Sequence, residues 1–459
     1  MSARETLPLP DGWRAGKIGD LFESWGGHTP SKSNASYWGT GVPWVSSRDV
    51  KEARLASSTH SVTRKAIAQT GLRICPPGSV LVVVRSGILA HTLPVAVTEL
   101  PVTINQDLKA FYSDEPLMNE WLALFLRMSA RQLLASSRRD GTTVQSVQYP
   151  LLKDALLPVP PLEQRRNVID MLGRVSAKHA GAMLHLTAGG GAIDRVRRSV
   201  LAAACSGRLT ADWRESHPEG SAQGLLREVA RRRDSLIQPR FKSPSPIVSQ
   251  DLQSLPTSWL WASVDALSLR VVDGVHKTPT YQEMGIPFVT VRSLTAGREL
   301  TLQGAKFISE EDHARFSVRA NPERGDLLVS KDGTIGVTRA IRTDEPFSIF
   351  VSVALIKPVL KRMTDYLELA LSSPVVQAQM IGVGSGLQHL VLRDLKADGI
   401  PVPPLEEQSE IVWRVSSLLD AADRVGDRLE SAHRRLKRSQ TALLAKAFRG
   451  ELASSEVAD

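Results

Sequence analysis

The chain has 459 residues, and at roughly 100–200 residues per domain that length divides into two to four cores rather than one. Hydrophobic residues at 42% and charged residues at 23% exclude wholesale disorder, and two cysteines, Cys75 and Cys205, exclude a disulfide scaffold or a four-thiolate zinc site. A formal charge of +9, from 57 basic against 48 acidic residues, points to a polyanionic partner, nucleic acid ahead of a membrane surface.

The opening residues lack a signal peptide's apolar stretch, and no run of about eighteen apolar residues follows, so the cytoplasm is the expected location. Short β-rich runs, Val80-Leu-Val-Val-Val84 and Val95-Ala-Val97, alternate with Gly/Pro/Ser/Asn turns and lead to a helical stretch from Asn119 to Leu134. After Pro161, apolar residues take heptad positions from Val168 and Leu172 through Val175, Ile193 and Val196 to Val200. That spacing predicts a coiled-coil helix, opened by proline and closed by Gly207. Gly181 and Gly189-Gly-Gly191 lie inside the heptads at a cost of about 1 kcal/mol each relative to alanine, which favours a kink or break near residue 190 unless, as expected, packing against the partner helix holds it.

A linker follows. Its basic piece, Gly224 to Ile237, carries Arg231, Arg232 and Arg233 on what reads as a solvated helix face, with DNA backbone binding as the second reading. Ser243-Pro-Ser-Pro-Ile247 reads as an extended connector. The second half then offers strands at Pro287–Val291 and Leu327–Val329, a helical stretch from Tyr366 to Met380, and a second heptad run. That run passes through Ile411, Val415, Leu418, Ala422, Val425 and Leu429 to Leu443, and Gly450 closes it. At 1.5 Å per residue, each run makes a rod of roughly 65 Å, and neither hides its stripe alone, so the two are expected to pack together, antiparallel.

The order of these elements is a duplication. Leu157-Pro-Val-Pro-Pro-Leu-Glu163 returns as Ile400-Pro-Val-Pro-Pro-Leu-Glu406, a shift of 243 residues. The same shift carries Gly141-Thr-Thr-Val-Gln145 onto Gly384-Ser-Gly-Leu-Gln388, and Gly207 onto Gly450. Upstream the match drifts: Trp13 pairs with Trp259, and Gly41-Val-Pro-Trp-Val45 with Gly285-Ile-Pro-Phe-Val289. Variable domains attached to length-constrained helices produce this pattern; a solenoid repeats every 20–50 residues instead.

Catalytic signatures are missing. There is no GxxxxGK[ST] loop, no HExxH and no clustered metal-ligand spacing, and His28, His276 and His389 read as polar loop residues. Asn321-Pro-Glu-Arg324 lacks the second proline and the aromatic of the amino-methyltransferase motif. The expectation is no catalytic residue, no metal and no cofactor.

Several motifs in this order resemble a known family. Thr29-Pro30-Ser31, Trp38-Gly-Thr-Gly-Val-Pro-Trp44, Gly78-Ser-Val-Leu81 and Asn105-Gln106 look like a target-recognition domain. So do Thr278-Pro279-Thr280, Gly285-Ile-Pro-Phe-Val289, Gly325-Asp-Leu-Leu328 and Gly333-Thr-Ile-Gly336. Pro403-Pro-Leu-Glu-Glu-Gln408 and Ala447-Phe-Arg-Gly-Glu-Leu452 are similar to the start and end of that family's spacer helix. The family is the specificity subunit of type I restriction–modification systems. The resemblance implies an α+β fold, two mixed α/β target-recognition domains separated by an antiparallel coiled coil of two long helices with pseudo-two-fold symmetry.

On this reading residues 1–157 form the first target-recognition domain, 158–210 the first spacer helix and 211–254 a linker with a basic helix. Residues 255–400 form the second recognition domain, and 401–459 the second spacer helix and tail. The implied function is a non-catalytic subunit that reads a bipartite asymmetric site in double-stranded DNA. Two methylation subunits and the restriction/translocase subunits would be its partners, carrying out adenine methylation and restriction, and no membrane is involved. The competing reading is a non-catalytic scaffold, or an orphan DNA-binding protein, that holds two partner subunits.

Residue types select the DNA-contact candidates. In the first unit these are Ser46, Ser47, Arg48, Arg85, Ser86 and Gln145; in the second, Thr290, Arg292, Lys331, Asp332 and Gln388. Arginine bonds guanine bidentately and glutamine bonds adenine. Each candidate competes with a solvated-loop or phosphate-contact role, and Gln145 and Gln388 with buttressing the domain–rod junction. Glu163, Gln164, Glu406, Glu407 and Gln408, at the rod starts, are the expected contacts for the methylation subunits, although helix N-terminal charge alone accounts for the acids.

Overall fold

A computed structural model describes residues 9–139, 145–237, 243–249, 252–380, 382 and 388–452. Residues 141–144 and 384–387, part of the repeated glycine segments, lie outside the described residues. The chain divides into two compact units, Met1–Thr187 with Glu430–Asp459, and Ala188–Leu429.

The fold is α+β, and the two units repeat one topology. In the first, a five-stranded sheet runs Glu23–Gly26, Leu108–Tyr112, Val80–Val83, Val95–Thr98, Arg54–Leu55 in spatial order. In the second, a four-stranded sheet runs Ser268–Asp273, Val353–Pro358, Leu327–Ser330, Thr338–Ala340. Each unit adds a three-stranded sheet centred on the Gly-x-Pro strand, Trp38–Val45 or Ile286–Val289, with one antiparallel and one parallel neighbour. The β-branched run Val80-Leu-Val-Val83 is buried on both faces, as a central strand requires. Trp44, Phe288, Trp13 and Trp259 are all core residues.

The repeated Leu/Ile-Pro-Val-Pro-Pro-Leu-Glu motif has a structural cause. Its first residues form one strand of a two-stranded ribbon, Leu156–Val159 against Arg14–Lys17, or Gly399–Val402 against Leu260–Ser263. Proline is tolerated in so narrow a ribbon because it has a free edge. A buried aromatic donor grips the first proline carbonyl in each unit: Trp121 Nε1 to Pro158 O at 2.7 Å, and Tyr366 Oη to Pro401 O. The second and third prolines then lead into the long helices, Leu162–Cys205 and Leu405–Phe448. Each ends near a left-handed glycine, Gly207 (φ 77°) and Gly450 (φ 76°), where a Cβ would collide with Pro256 and Pro10 respectively.

The long helices pack antiparallel. In the second unit Gly189 lies against Leu429, Ile193 against Gly426, and Arg197 bonds Asp423 at 2.6 Å. In the first, Val168 and Leu172 share a core with Ala447 and Phe448. The first helix runs unbroken through residue 190, in line with the expectation that packing against the partner helix holds it. Gly189 sits where a Cβ would come within 3.0 Å of Leu429, so the seam uses a small residue there. The stripe also departs from the heptads: Val196 is 50% exposed, and Leu418 and Val425 are similarly open. Less exposed positions in the second helix between 411 and 429 are 411, 412, 414, 415, 419, 421, 422, 423, 426 and 429, an inward face broader than a strict a/d stripe. The linker helix Ala222–Leu236 leaves Arg231 and Arg232 exposed, but Arg233 is buried and donates to Ser268 O at 3.1 Å, unlike the solvated face expected for it.

Candidate nucleic-acid interface

One end of each mixed α/β head gathers most of the expected DNA-contact residues. In the first head the backbone continues past Val83 so that Val84 N and Arg85 N both donate to Asp107 O, at 2.8 and 3.2 Å. Ser86 N then donates to Gln145 O at 3.1 Å, and Val147 N to Val84 O at 2.8 Å. The second head repeats this frame: Lys331 N to Ser352 O at 2.7 Å, Gly333 N to Gln388 O at 3.1 Å, Leu390 N to Lys331 O at 2.8 Å. Arg85, Ser86 and Gln145 are thereby adjacent, as are Asp332 and Gln388.

The same end carries the loop after the Gly-x-Pro strand. Asn105 N donates to Val45 O at 2.9 Å and Phe350 N to Val289 O at 3.0 Å, which ties that loop to the segments reaching Asp107 and Ser352. Ser46 N and Oγ both donate to Asp49 Oδ2, at 2.8 and 2.7 Å, while Thr59 N and Oγ1 reach Oδ1. Burial works to raise the Asp49 carboxyl, but hydrogen bonds from Thr59 and Ser46 outweigh it and hold the group below the usual carboxylate range. The Ser46 hydroxyl is therefore spent on shaping the loop. Ser47 is half-buried, and Arg48 is exposed at the turn. Thr290 is extended and precedes the short helix Val291–Thr295, on which Arg292 is exposed.

Matched positions carry different charge. Arg85 lies 3.4 Å from Asp107 with its guanidinium largely exposed. At the corresponding site Asp332 receives His389 Nδ1. Lys331 departs from the expectation of a base contact. It is 2% exposed, and its ammonium donates to Asp273 Oδ2 at 2.7 Å and Val351 O at 3.3 Å. Arg319 also donates to Asp273. Burial works to raise that carboxyl, but the bonds from Lys331 and Arg319 outweigh it and the pKa is lowered. Lys331 is an internal strut, unavailable to a base edge. Gln388 is exposed, whereas Gln145 is half-buried and its side-chain oxygen has no partner among the described residues.

At the rod starts Glu163 and Glu406 are exposed. The other three expected partner contacts are turned inward, each for a definite reason. Trp13 Nε1 donates to Gln164 Oε1 at 2.8 Å, and Trp259 Nε1 to Glu407 Oε2 at 2.7 Å. Glu407 is fully buried and also accepts from Thr210 Oγ1 at 2.7 Å and from Arg214. Gln408 is 2% exposed and donates to Pro403 O at 3.0 Å. These side chains fasten head to helix.

Among the described residues no three or more His, Cys, Asp or Glu side chains form a metal-holding group, and no helix is long and apolar enough to cross a membrane. Burial pushes the thiols of Cys75 and Cys205 up to about 12 and about 11, leaving neither poised as a nucleophile.

A duplicated mixed α/β head with unlike polar ends, each fastened to a long helix, defines the chain as a two-head, two-helix protein. The type I restriction modification DNA specificity domain matches residues 10–179 and 276–429, and the chain belongs to that family. It is 28% identical over 320 residues to the EcoBI specificity subunit of Escherichia coli, covering 69% of this chain and 62% of that one. With the EcoR124I/EcoR124II specificity subunit of E. coli it shares 28% identity over 158 residues, only 39% of that protein's length. With the EcoKI specificity subunit of E. coli strain K12 it aligns over 97% of this chain and 90% of the relative, at 21% identity. Two solved structures share the fold. A chain from work on complex assembly and conformational transition of the type I R-M system has TM-score 0.67 and 17% identity, over 97% of this chain and 100% of that one. The HsdS subunit from Thermoanaerobacter tengcongensis has TM-score 0.50 and 18% identity, over 98% and 100%.

Proposed function

We propose that this chain is the sequence-specific DNA-recognition subunit of a type I restriction–modification complex. It reads a bipartite asymmetric site and directs adenine methylation and restriction by partner subunits, without catalysing either itself. The observation that carries this reading is the pairing of one backbone frame with two sets of side chains: Arg85 and Ser86 in one head, Asp332 and Gly333 in the other. Equal frames with unequal donors and acceptors suit two unlike half-sites. The formal charge of +9 supplies sequence-blind attraction to phosphates.

Its partners are double-stranded DNA, two methylation subunits and the restriction/translocase subunits, in the cytoplasm. Glu163 and Glu406, exposed at the rod starts, remain the proposed contacts for the methylation subunits. Ser47, Arg48, Arg85, Ser86, Gln145, Thr290, Arg292 and Gln388 remain the proposed DNA contacts, with Ser46 and Lys331 shaping the loops that present them and Asp332 paired with His389. Residues 1–157 and 255–400 are the proposed exchangeable reading modules.

The test is reconstitution with the methylation subunits of its own system, followed by mapping of methylated adenines. Replacing residues 1–157 by another such module is expected to change one half of the methylated site and leave the other. Methylation by the isolated chain, or equal affinity for all duplexes in a salt titration, contradicts the proposal; the second result favours the scaffold reading.

A further inference from the structure

Ser146 and His389 stand 243 residues apart, in the gap-free part of the duplication, and the structure gives them one position. Each forms an isolated bridge with the second residue past the central strand: Ser146 with Arg85, His389 with Asp332. Three surrounding backbone bonds, donated by residues 84, 86 and 147, recur at 331, 333 and 390. What differs is the chemistry offered. The first head presents a guanidinium, which only donates. The second presents an imidazole, 44% exposed, whose Nδ1 meets Asp332 Oδ1.

An ionised carboxylate can only accept, so the contact requires a proton on Nδ1 and leaves Nε2 as the ring nitrogen available to a ligand. Nε2 has no hydrogen-bond partner among the described residues, while the carboxylate is held by its bond to the ring. Beneath the pair, the buried Lys331–Asp273 bond fixes the strand end from which Asp332 projects. The ring is thus oriented before any ligand arrives, the condition for precise readout at low entropic cost.

We infer that this bridge position determines the specificity of each head. Arg85 is the donor that reads guanine O6 and N7 in one half-site. His389, positioned by Asp332, is the acceptor that reads an exocyclic amine, cytosine N4 or adenine N6, in the other. This rests on the DNA-reading function proposed above. Asp332 is a positioning residue: its own carboxylate faces a polyanion and gains nothing by direct contact with phosphate.

The experiment uses the full chain assembled with its methylation subunits, acting on plasmid DNA with randomised positions, and reads the methylated sequences. His389→Ala and Asp332→Asn are expected to relax the same single base pair, roughly ten- to a hundredfold, in the same half-site. Arg85→Ala is expected to relax a guanine in the opposite half-site. His389→Gln, which retains an acceptor, is expected to recover part of the preference. A uniform fall in methylation with an unchanged sequence profile overturns the inference, since a purely structural or phosphate-contact role gives that result. So does relaxation at different base pairs in the His389 and Asp332 variants. Thermal unfolding of each complex separates misfolding from altered reading, and Asp332→Asn supplies the independent variant should His389→Ala unfold. Methylation by the unaltered complex without any split-site preference removes the DNA-reading proposal itself, and the inference with it.

Discussion

The two head–helix junctions are built on one plan with one electrostatic difference. In both, a tryptophan near the start of the head donates its indole N–H to the third residue of a long helix, Trp13 to Gln164 and Trp259 to Glu407. In the first the acceptor is a neutral amide. In the second it is a buried carboxylate that also gathers Thr210 and Arg214 from the segment after Gly207. A buried carboxylate is tolerable only with such partners, because desolvation otherwise outweighs its bonds. The duplication therefore preserved the geometry of the joint while the second copy became dependent on a charged network.

The sharpest way to break that comparison is to truncate both acceptors. Glu407→Ala leaves an indole N–H, a hydroxyl and a guanidinium without their common acceptor, and should cost roughly 3–5 kcal/mol. Gln164→Ala removes one neutral bond and should cost about 1–2 kcal/mol. Denaturant unfolding of the two variants measures the difference. Equal losses would mean that the charged network contributes nothing beyond the tryptophan bond.

These junctions also mark where residue patterns stop being informative. The duplication, the central strands and both long helices are legible, because β-branched runs, turn residues and heptads are local signals. Inward-facing Glu407 and Gln408 are not: a charged residue at a helix start ordinarily faces water, and for Glu407 that is reversed by Trp259, Thr210 and Arg214, 148 to 197 residues away in the chain. Lys331 is concealed in the same way by Asp273, 58 residues distant. His389 looks like any polar loop residue until its bridge to Asp332 is seen. Its one available signal was the shift of 243, which aligns it with Ser146 beside Gln145. The seam misleads more subtly, because Leu418 and Val425, at heptad positions, are exposed while the neighbouring positions 419 and 426 are less so.

A second contrast lies just before the helices. Asp398 occupies the position that Ala155 holds in the first unit. It is buried, its Oδ2 has no partner among the described residues, and burial, aided by nearby Asp394, pushes its pKa up to about 7. Between about pH 4 and 7 the folded protein retains a proton that the unfolded chain has released. The stability this contributes is complete below about pH 4 and is lost as pH rises through about 7. Within that window the slope reaches at most about 1.4 kcal/mol per pH unit. Asp398→Asn should flatten this component and make the variant the more stable protein above pH 7. Unfolding midpoints across pH 4–8 test it; parallel curves for the two proteins would show that Asp398 ionises as freely as an exposed carboxylate.

The smallest contrast separates neighbouring glycines within the first long helix. A Cβ on Gly190 meets nothing within 4 Å, whereas one on Gly189 comes within 3.0 Å of Leu429. Gly190→Ala should therefore recover most of the helix-propensity deficit, a gain of about 0.5–1 kcal/mol. Gly189→Val places a branched side chain against Leu429 and should cost about 1–3 kcal/mol through overpacking. Opposite signs at adjacent positions are the signature of a seam that selects a small residue at one face and merely tolerates it at the next. Stabilisation by both substitutions would mean that Leu429 yields, and that the glycine run reflects no constraint from the partner helix.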